Sequence, residues 1–93
     1  MIRSFADQDA ARIFAGQPAK KPPRNRQRVA RRKLLMLHSA ESLDDLRVPP
    51  GNRLEKRTGD QAGQYSIRIN DQWRICFVWD SGDAYDVEIA DYH

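Results

Sequence analysis

Three side chains that can exchange protons stand together at the C-terminal end of the sequence: Asp91, Tyr92 and His93. The unperturbed pKa of histidine is about 6.5, so His93 is the strongest candidate for acid–base chemistry near neutral pH. The neighbouring α-carboxylate should favour its protonated form. The alternative is a disordered polar tail, which is common at chain ends, and the residues alone leave it open.

A second group of candidates consists of arginines that flank a predicted turn. Arg68 and Arg74 should lie on adjacent strands with both side chains on the polar face, where guanidinium groups can bind phosphates in bidentate fashion. The alternative is pairing with Asp86 and Glu88 on the next strand. Three more basic residues precede them: Arg53, Lys56 and Arg57.

The basic residues of the chain are unevenly distributed. Of the 16 lysines and arginines, half lie between Lys20 and Lys33, and the nearest acidic residues are Asp9 and Glu41. Such a segment favours a polyanion or an acidic protein surface as partner, with a solvated helix face as the alternative. Its exposed ridge is predicted to comprise Arg28, Arg31 and Arg32.

The sequence offers no convincing metal site and no cofactor motif. His38 and His93 are its histidines and Cys76 is its one cysteine, which supplies too few nitrogen and sulfur ligands for a dedicated site. His38 is expected to be a helix-end residue. A lone cysteine excludes an internal disulfide and is typical of a reduced cytoplasm.

Two helices are predicted before the strands. Asp7 is a suitable N-cap for the first helix. A second helix is predicted from about Asn25 to Ser39, because its apolar side chains fall in one arc of a helical wheel opposite the arginine ridge. Residues 42–46 can add a further turn, and Val48–Gly51, with two prolines, should end helical structure.

Apolar residues then recur at every second position. This alternation over Tyr65–Ile69, Trp73–Trp79 and Tyr85–Ile89 predicts three antiparallel strands. The segment around Leu54 should pair along one edge, and Ile2–Phe5 could form another short strand. The chain is therefore predicted to be α+β, with two to three N-terminal helices packed on a twisted antiparallel sheet.

The 93 residues are enough for a single domain, 1–93, and leave no room for a second core. No apolar run is long enough for a signal peptide or a membrane span. A cytoplasmic protein with no membrane partner is therefore expected.

An ordered set of motifs in this chain resembles the HigB toxins of the RelE/ParE superfamily. The likeness is greatest to the GraT-like subgroup, which shares the Arg53-Leu54-Glu55 triplet, and Met1–Phe5 also looks like the start of the family. The remaining motifs are Pro50–Glu55, Gly59-Asp60, Gly63, Ser66–Asn70, Gln72–Phe77, Val87–Ile89 and Asp91–His93.

The resemblance implies a RelE-like fold and a toxin of a type II toxin–antitoxin system. It implies an endoribonuclease that cuts messenger RNA, usually in the decoding site of the ribosome. It also implies neutralisation by a HigA-type antitoxin with a helix-turn-helix, through which alone the complex would bind operator DNA.

Cleavage by the RNA's own 2′-hydroxyl requires a base, an acid for the leaving 5′ oxygen and cations for the phosphate, and no metal ion is obligatory. The family residues that correspond to Asp91-Tyr92-His93 are implicated in catalysis, and His93 is expected to be the acid. Arg74 is expected to be the main transition-state cation, supported by Arg68 or Arg57. The other RNA-binding candidates are Arg53, Lys56, Arg28, Arg31 and Arg32.

Two positions depart from well-known HigB members. Glu55 replaces a histidine; a carboxylate can act as a base there, but it adds negative charge near a phosphate. The lysine often found at the position of Thr58 is absent. Both departures should weaken RNA binding or cleavage, so a mild toxin is expected, and Glu55→His is expected to strengthen it.

Two functions from other classes stay open. ParE relatives share the fold yet inhibit DNA gyrase without enzymatic activity, and fold does not settle function. ParE-like chains usually lack an acid–base tail, so Asp91-Tyr92-His93 argues against that function. The second alternative is a basic protein-interaction module.

Overall fold

The computed structural model describes residues 1–57 and 63–91, which form helices followed by an antiparallel sheet. Helix α1 spans Gln8–Phe14 and helix α2 spans Arg24–Ser39. Two short 3-10 turns, Leu43–Arg47 and Pro50–Asn52, lead to the sheet. Its strands are Glu55–Lys56 (β1), Gln64–Arg68 (β2), Trp73–Asp80 (β3) and Asp83–Asp91 (β4). The predicted α+β architecture is confirmed.

Helix α1 begins where its sequence predicts. The Asp7 carboxylate accepts a hydrogen bond from the backbone N–H of Ala10 at 2.6 Å, as an N-cap residue does. Its other oxygen accepts from the N–H of Ile89 at 2.7 Å. One side chain therefore both starts α1 and attaches it to strand β4.

Helix α2 packs through one apolar stripe. Ala30, Leu34 and Leu37 are fully buried, while the predicted ridge of Arg28, Arg31 and Arg32 is exposed. In the last turn of α2 the His38 Nδ1 accepts from the N–H of Ile2 at 3.1 Å, and its ring lies 5.2 Å from Phe14. His38 is a helix-end packing residue, as predicted.

The sheet is a meander in the order β1-β2-β3-β4, with every neighbouring pair antiparallel. Strand β1 pairs with β2, which confirms the predicted edge near Leu54. The stretch from Ile2 to Phe5 makes two isolated parallel bridges to β4 instead of a regular strand. The helices cover the sheet face formed by Ile67, Ile75, Phe77, Val87 and Ile89.

Two details of the sequence-based prediction are wrong. A β-bulge lies in β4, where Asp86 has a φ of 52°, so Tyr85 faces Val78 across the strands and lies on the opposite face from Val87. The regular alternation predicted for β4 fails there. Helical structure ends at Arg47, and Val48 and Pro49 are extended, but a separate 3-10 turn starts at Pro50, inside the segment predicted to end helical structure, because proline has a suitable φ for the first position of such a turn.

No helix within the described ranges is long and apolar enough to cross a membrane.

Candidate functional site

The sheet face turned away from the helices carries four of the predicted site residues: Glu55, Arg57, Arg68 and Arg74. Cross-strand partners share a face, and Arg68 is the Cα partner of Arg74 while Glu55 is the partner of Ser66. Both arginines therefore lie on the same side, as predicted. We call this surface the arginine face; its residues are Glu55, Arg57, Ser66, Arg68, Arg74, Cys76 and Glu88.

Arg74 is a fixed cation on the arginine face. It is 7% exposed, and its Nε donates to the Ser66 hydroxyl at 2.9 Å. Its Nη2 donates to the Arg53 carbonyl at 2.6 Å and to the Ser66 carbonyl at 3.3 Å. Because guanidinium is planar, these contacts fix its plane as well as its position.

Glu55 stands beside this cation. Its Oε2 lies 3.8 Å from Arg74 Nη2, and the Glu55 side chain is 59% exposed while that of Arg74 is 8% exposed. The carboxylate therefore faces solvent and the guanidinium lies beneath it. An RNA phosphate that approaches Arg74 meets the negative charge of Glu55 at the same place.

Arg57 extends the same face. Its Nη1 donates to the Cys76 sulfur at 3.1 Å. Burial raises the pKa of the Cys76 thiol, although the nearby Arg57 guanidinium opposes that rise. The thiol is fully buried and protonated, so it holds Arg57 in place and does not act as a nucleophile.

Arg68 is paired with Asp71 at the β2–β3 turn, and the bond runs from Nη2 to the carboxylate. The alternative pairing of these arginines with Asp86 and Glu88 is not found among the described residues: Asp86 instead contacts Ser4.

The other described candidates on the loop and strands lie outside the arginine face. Arg53 contributes its carbonyl to Arg74 and leaves its side chain exposed. Lys56 alternates with Glu55, so the register places it on the other side of β1. Asp91 is the Cα partner of the core residue Trp73, so the register turns it away from the arginine face, and it accepts a hydrogen bond from Gln72 Nε2 at 3.1 Å. Thr58, Tyr92 and His93 lie outside the described residues.

The α2 ridge is a separate surface. Arg28, Arg31 and Arg32 line a shallow groove of about 530 Å³ together with Val29 and Leu35. The ridge lies on α2, which packs on the helix-covered face of the sheet, whereas the arginine face is on the other side of the sheet. The predicted RNA-binding residues thus form two groups.

Sequence reasoning missed a buried polar group between these surfaces. Lys33 is 6% exposed and donates through Nζ to Asn52 Oδ1, and Asn52 is fully buried. Burial lowers the pKa of Lys33, and repulsion from Arg32 and Arg68 adds to this. The burial of Lys33 is hard to predict, because Lys33 belongs to a run of basic residues that are mostly exposed. Only its position in the apolar stripe of α2 distinguishes it from them.

Among residues 1–57 and 63–91, no three histidine, cysteine, aspartate or glutamate side chains are grouped as metal ligands.

Comparison with known proteins gives a family match over residues 3–93, to the RelE-like toxin of the type II toxin–antitoxin system HigB. Toxin HigB-1 of Vibrio cholerae serotype O1 is 49% identical over 53 residues, which cover 57% of this chain and 56% of that protein. An uncharacterized protein of Haemophilus influenzae is 37% identical over 81 residues, 86% of this chain and 80% of that one. Endoribonuclease HigB of Proteus vulgaris is 42% identical over 41 residues, 44% of this chain and 45% of that enzyme. The chain thus spans about half the length of the two relatives that carry the HigB name.

Proposed function

Because this chain belongs to the HigB-like family of RelE-like toxins of type II toxin–antitoxin systems, we propose that it is an endoribonuclease that cleaves messenger RNA on the ribosome. The name of the Proteus vulgaris relative supports this activity. The observation that carries the proposal is Arg74, a buried guanidinium fixed by Ser66 and the Arg53 carbonyl beneath an exposed carboxylate. A preorganised cation of this kind stabilises the charge that develops on a phosphate in the transition state.

The proposed reaction is transesterification within the RNA. The 2′ oxygen attacks the adjacent phosphorus while its proton passes to Glu55. The bond from phosphorus to the 5′ oxygen breaks, and His93 donates a proton to that oxygen. The products are a 2′,3′-cyclic phosphate and a 5′-hydroxyl, and Arg74 stabilises the phosphorane between them, with Arg57 and Arg68 in support.

The register of β4 supports a role for the tail. Ala90 is the Cα partner of Arg74, so His93 follows only three residues after the position opposite the proposed transition-state cation. We assign Tyr92 to stacking on a base or donating to phosphate, and Asp91 to orienting the tail. Affinity for RNA is assigned to Arg53, Lys56 and the ridge of Arg28, Arg31 and Arg32.

The partner that controls this activity is proposed to be a HigA-type antitoxin with a helix-turn-helix, and operator DNA would be reached only through it. We place the reaction in the cytoplasm, where messages are translated. A basic toxin surface is suited to being masked by an acidic partner. Full inhibition by an antitoxin that contacts neither the ridge nor the arginine face, seen as unchanged amide exchange on both, would contradict masking.

The decisive experiment maps transcripts by primer extension in a translation extract supplied with the purified toxin. Wild type should give discrete cuts with 5′-hydroxyl ends on translated messages. Arg74→Ala should lower cleavage by about 10²–10³-fold, and deletion of His93 by about 10²–10⁴-fold. Arg12→Ala is the matched control, because it removes one exposed positive charge on α1, away from the arginine face.

Each alternative function gives a different result when the extract experiment is combined with a measurement of DNA replication in toxin-expressing cells. Intact transcripts with arrested DNA replication in toxin-expressing cells would indicate gyrase inhibition. Intact transcripts with no arrest would leave an interaction module. Cleavage that survives deletion of His93 would transfer the acid role to Asp91 or Tyr92.

A further inference from the structure

The buried polar side chains of the described residues form two linked pairs. Four such residues are buried: Lys33, Asn52, Ser66 and Arg74. Lys33 donates to Asn52, and Arg74 donates to Ser66. The two pairs meet at Arg53, which follows Asn52 in the chain and whose carbonyl accepts from Arg74 at 2.6 Å. One set of contacts therefore runs from helix α2 to the arginine face.

Asn52 holds the loop that carries the Arg53 carbonyl. Its Nδ2 donates to the carbonyls of Leu46 at 3.2 Å and Val48 at 3.5 Å, while its Oδ1 accepts from Lys33. The amide thus joins the two 3-10 turns to helix α2.

Arg53 itself has a conformation that needs support. Its φ of 45° and ψ of 60° are left-handed, a region in which a non-glycine residue is strained. This conformation turns the Arg53 carbonyl towards Arg74 Nη2. Asn52 directly precedes Arg53. Its hydrogen bonds therefore stabilise the strained conformation of Arg53 and fix the direction of the Arg53 carbonyl.

A buried lysine is a poor choice of residue if its only role is to stabilise the fold. Within the described ranges no carboxylate lies within ion-pair distance of it, and its described hydrogen bond is to a neutral amide. Burying a cation without a counter-ion costs free energy that an apolar side chain of similar length would not cost. The single described contact that requires Lys33 is the one to Asn52.

We propose that Lys33 and Asn52 are positioning residues that fix the Arg53 carbonyl and thereby the guanidinium plane of Arg74. This proposal rests on the proposed function for its effect on cleavage, although its effect on Arg74 is measurable without RNA. The guanidinium needs its fixed orientation because a rotated plane presents the wrong pair of N–H groups to a phosphate.

The first test follows the Arg74 guanidinium in the isolated toxin by 15N NMR, with its Nε–H signal assigned by its loss in Arg74→Lys. Asn52→Ala and Lys33→Met should each raise the water-exchange rate of the Arg74 guanidinium protons by about tenfold, because one hydrogen bond is weakened. Asp7→Ala is the matched control: it also removes two part-buried hydrogen bonds, but on α1 and β4. It should leave the Arg74 signal unchanged.

The second test is a double-mutant cycle on RNA cleavage, at a temperature where every variant is folded by circular dichroism. Asn52→Ala should lower kcat by about tenfold in the wild-type background and by less than about twofold in the Arg74→Ala background, because coupled residues are not additive. Asp7→Ala should leave kcat unchanged.

The two tests distinguish a positioning role of Lys33 and Asn52 from a role in stability alone. An equal loss of kcat from Asn52→Ala in both backgrounds, or an unchanged Arg74 exchange rate, would overturn the positioning role and leave a stability role. If wild type cleaves no RNA, the proposed function fails, while the NMR test still decides whether Lys33 and Asn52 hold Arg74.

Discussion

Replacing Glu55 with glutamine separates two effects that this carboxylate has at the same place. Glu55 Oε2 lies 3.8 Å from Arg74 Nη2. Two unit charges at that distance interact by about 4 kcal/mol at an effective dielectric constant of 20, and by about 1 kcal/mol in bulk water. The Glu55 side chain is 59% exposed, so the lower figure applies.

Glutamine removes this charge without changing the shape of the side chain. A phosphate competing for Arg74 should then bind more tightly by about 1 kcal/mol, which is about fivefold. If Glu55 also accepts the 2′ proton, its loss should lower kcat by about 10²–10⁴-fold. The second effect is larger, so we expect a lower KM together with a much lower kcat.

Single-turnover cleavage of a message held in stalled ribosomes measures the two effects separately, since the rate at saturation reports chemistry and the half-saturating concentration reports binding. Glu55→His keeps a proton acceptor without a negative charge, so it should raise the rate at saturation and lower the half-saturating concentration relative to wild type. A kcat for Glu55→Gln close to that of wild type, instead of about 10²–10⁴-fold lower, would refute the base role. An unchanged half-saturating concentration would refute the charge argument.

Three further predictions concern the rest of the molecule. Replacing Arg28, Arg31 and Arg32 together by alanine should weaken ribosome binding and reduce its salt dependence, since each phosphate contact contributes a slope of about −0.7 to −0.9; a salt series with an unchanged slope would reject the ridge as an RNA contact. Burial lowers the pKa of Lys33 in the folded protein below the 10.5 of an unburied lysine. Between the folded and unfolded pKa values the unfolded chain holds more protons, so stability should rise with pH in that range. Urea titrations should show this rise in wild type and not in Lys33→Met. Cys76, whose pKa burial raises, should react with a thiol reagent only on unfolding; rapid reaction of the native protein would contradict its burial.

The features of the fold that follow from a regular spacing of apolar residues were predictable from the sequence. The stripe of Ala30, Leu34 and Leu37 indicates α2, and alternation indicates the strands, because the burial of one face follows directly from spacing in these elements. The shared face of Arg68 and Arg74 was predictable for the same reason: a two-fold repeat on each side of a short turn fixes which side chains meet.

Periodicity does not predict the departures from regular structure. The bulge at Asp86 moves Tyr85 to the other face, because one extra residue reverses the alternation on one side of it. The burial of Asn52 depends on two carbonyls at the first 3-10 turn, those of Leu46 and Val48, and on the Lys33 ammonium of α2. Contacts of that kind arise from the tertiary fold and leave no pattern in a local window.

The fixed geometry of Arg74 explains why control of this protein is expected to come from outside it. The guanidinium is 7% exposed and is held by intramolecular hydrogen bonds to Ser66 and the Arg53 carbonyl. Preorganised groups do not need to reorganise when substrate binds, which lowers the free energy of the transition state. With Arg74 as the proposed transition-state cation in place before the substrate arrives, we expect the toxin to be active as soon as it folds. On the proposed function, safe production would then need a second protein that blocks access to the arginine face, which agrees with membership of a toxin–antitoxin family.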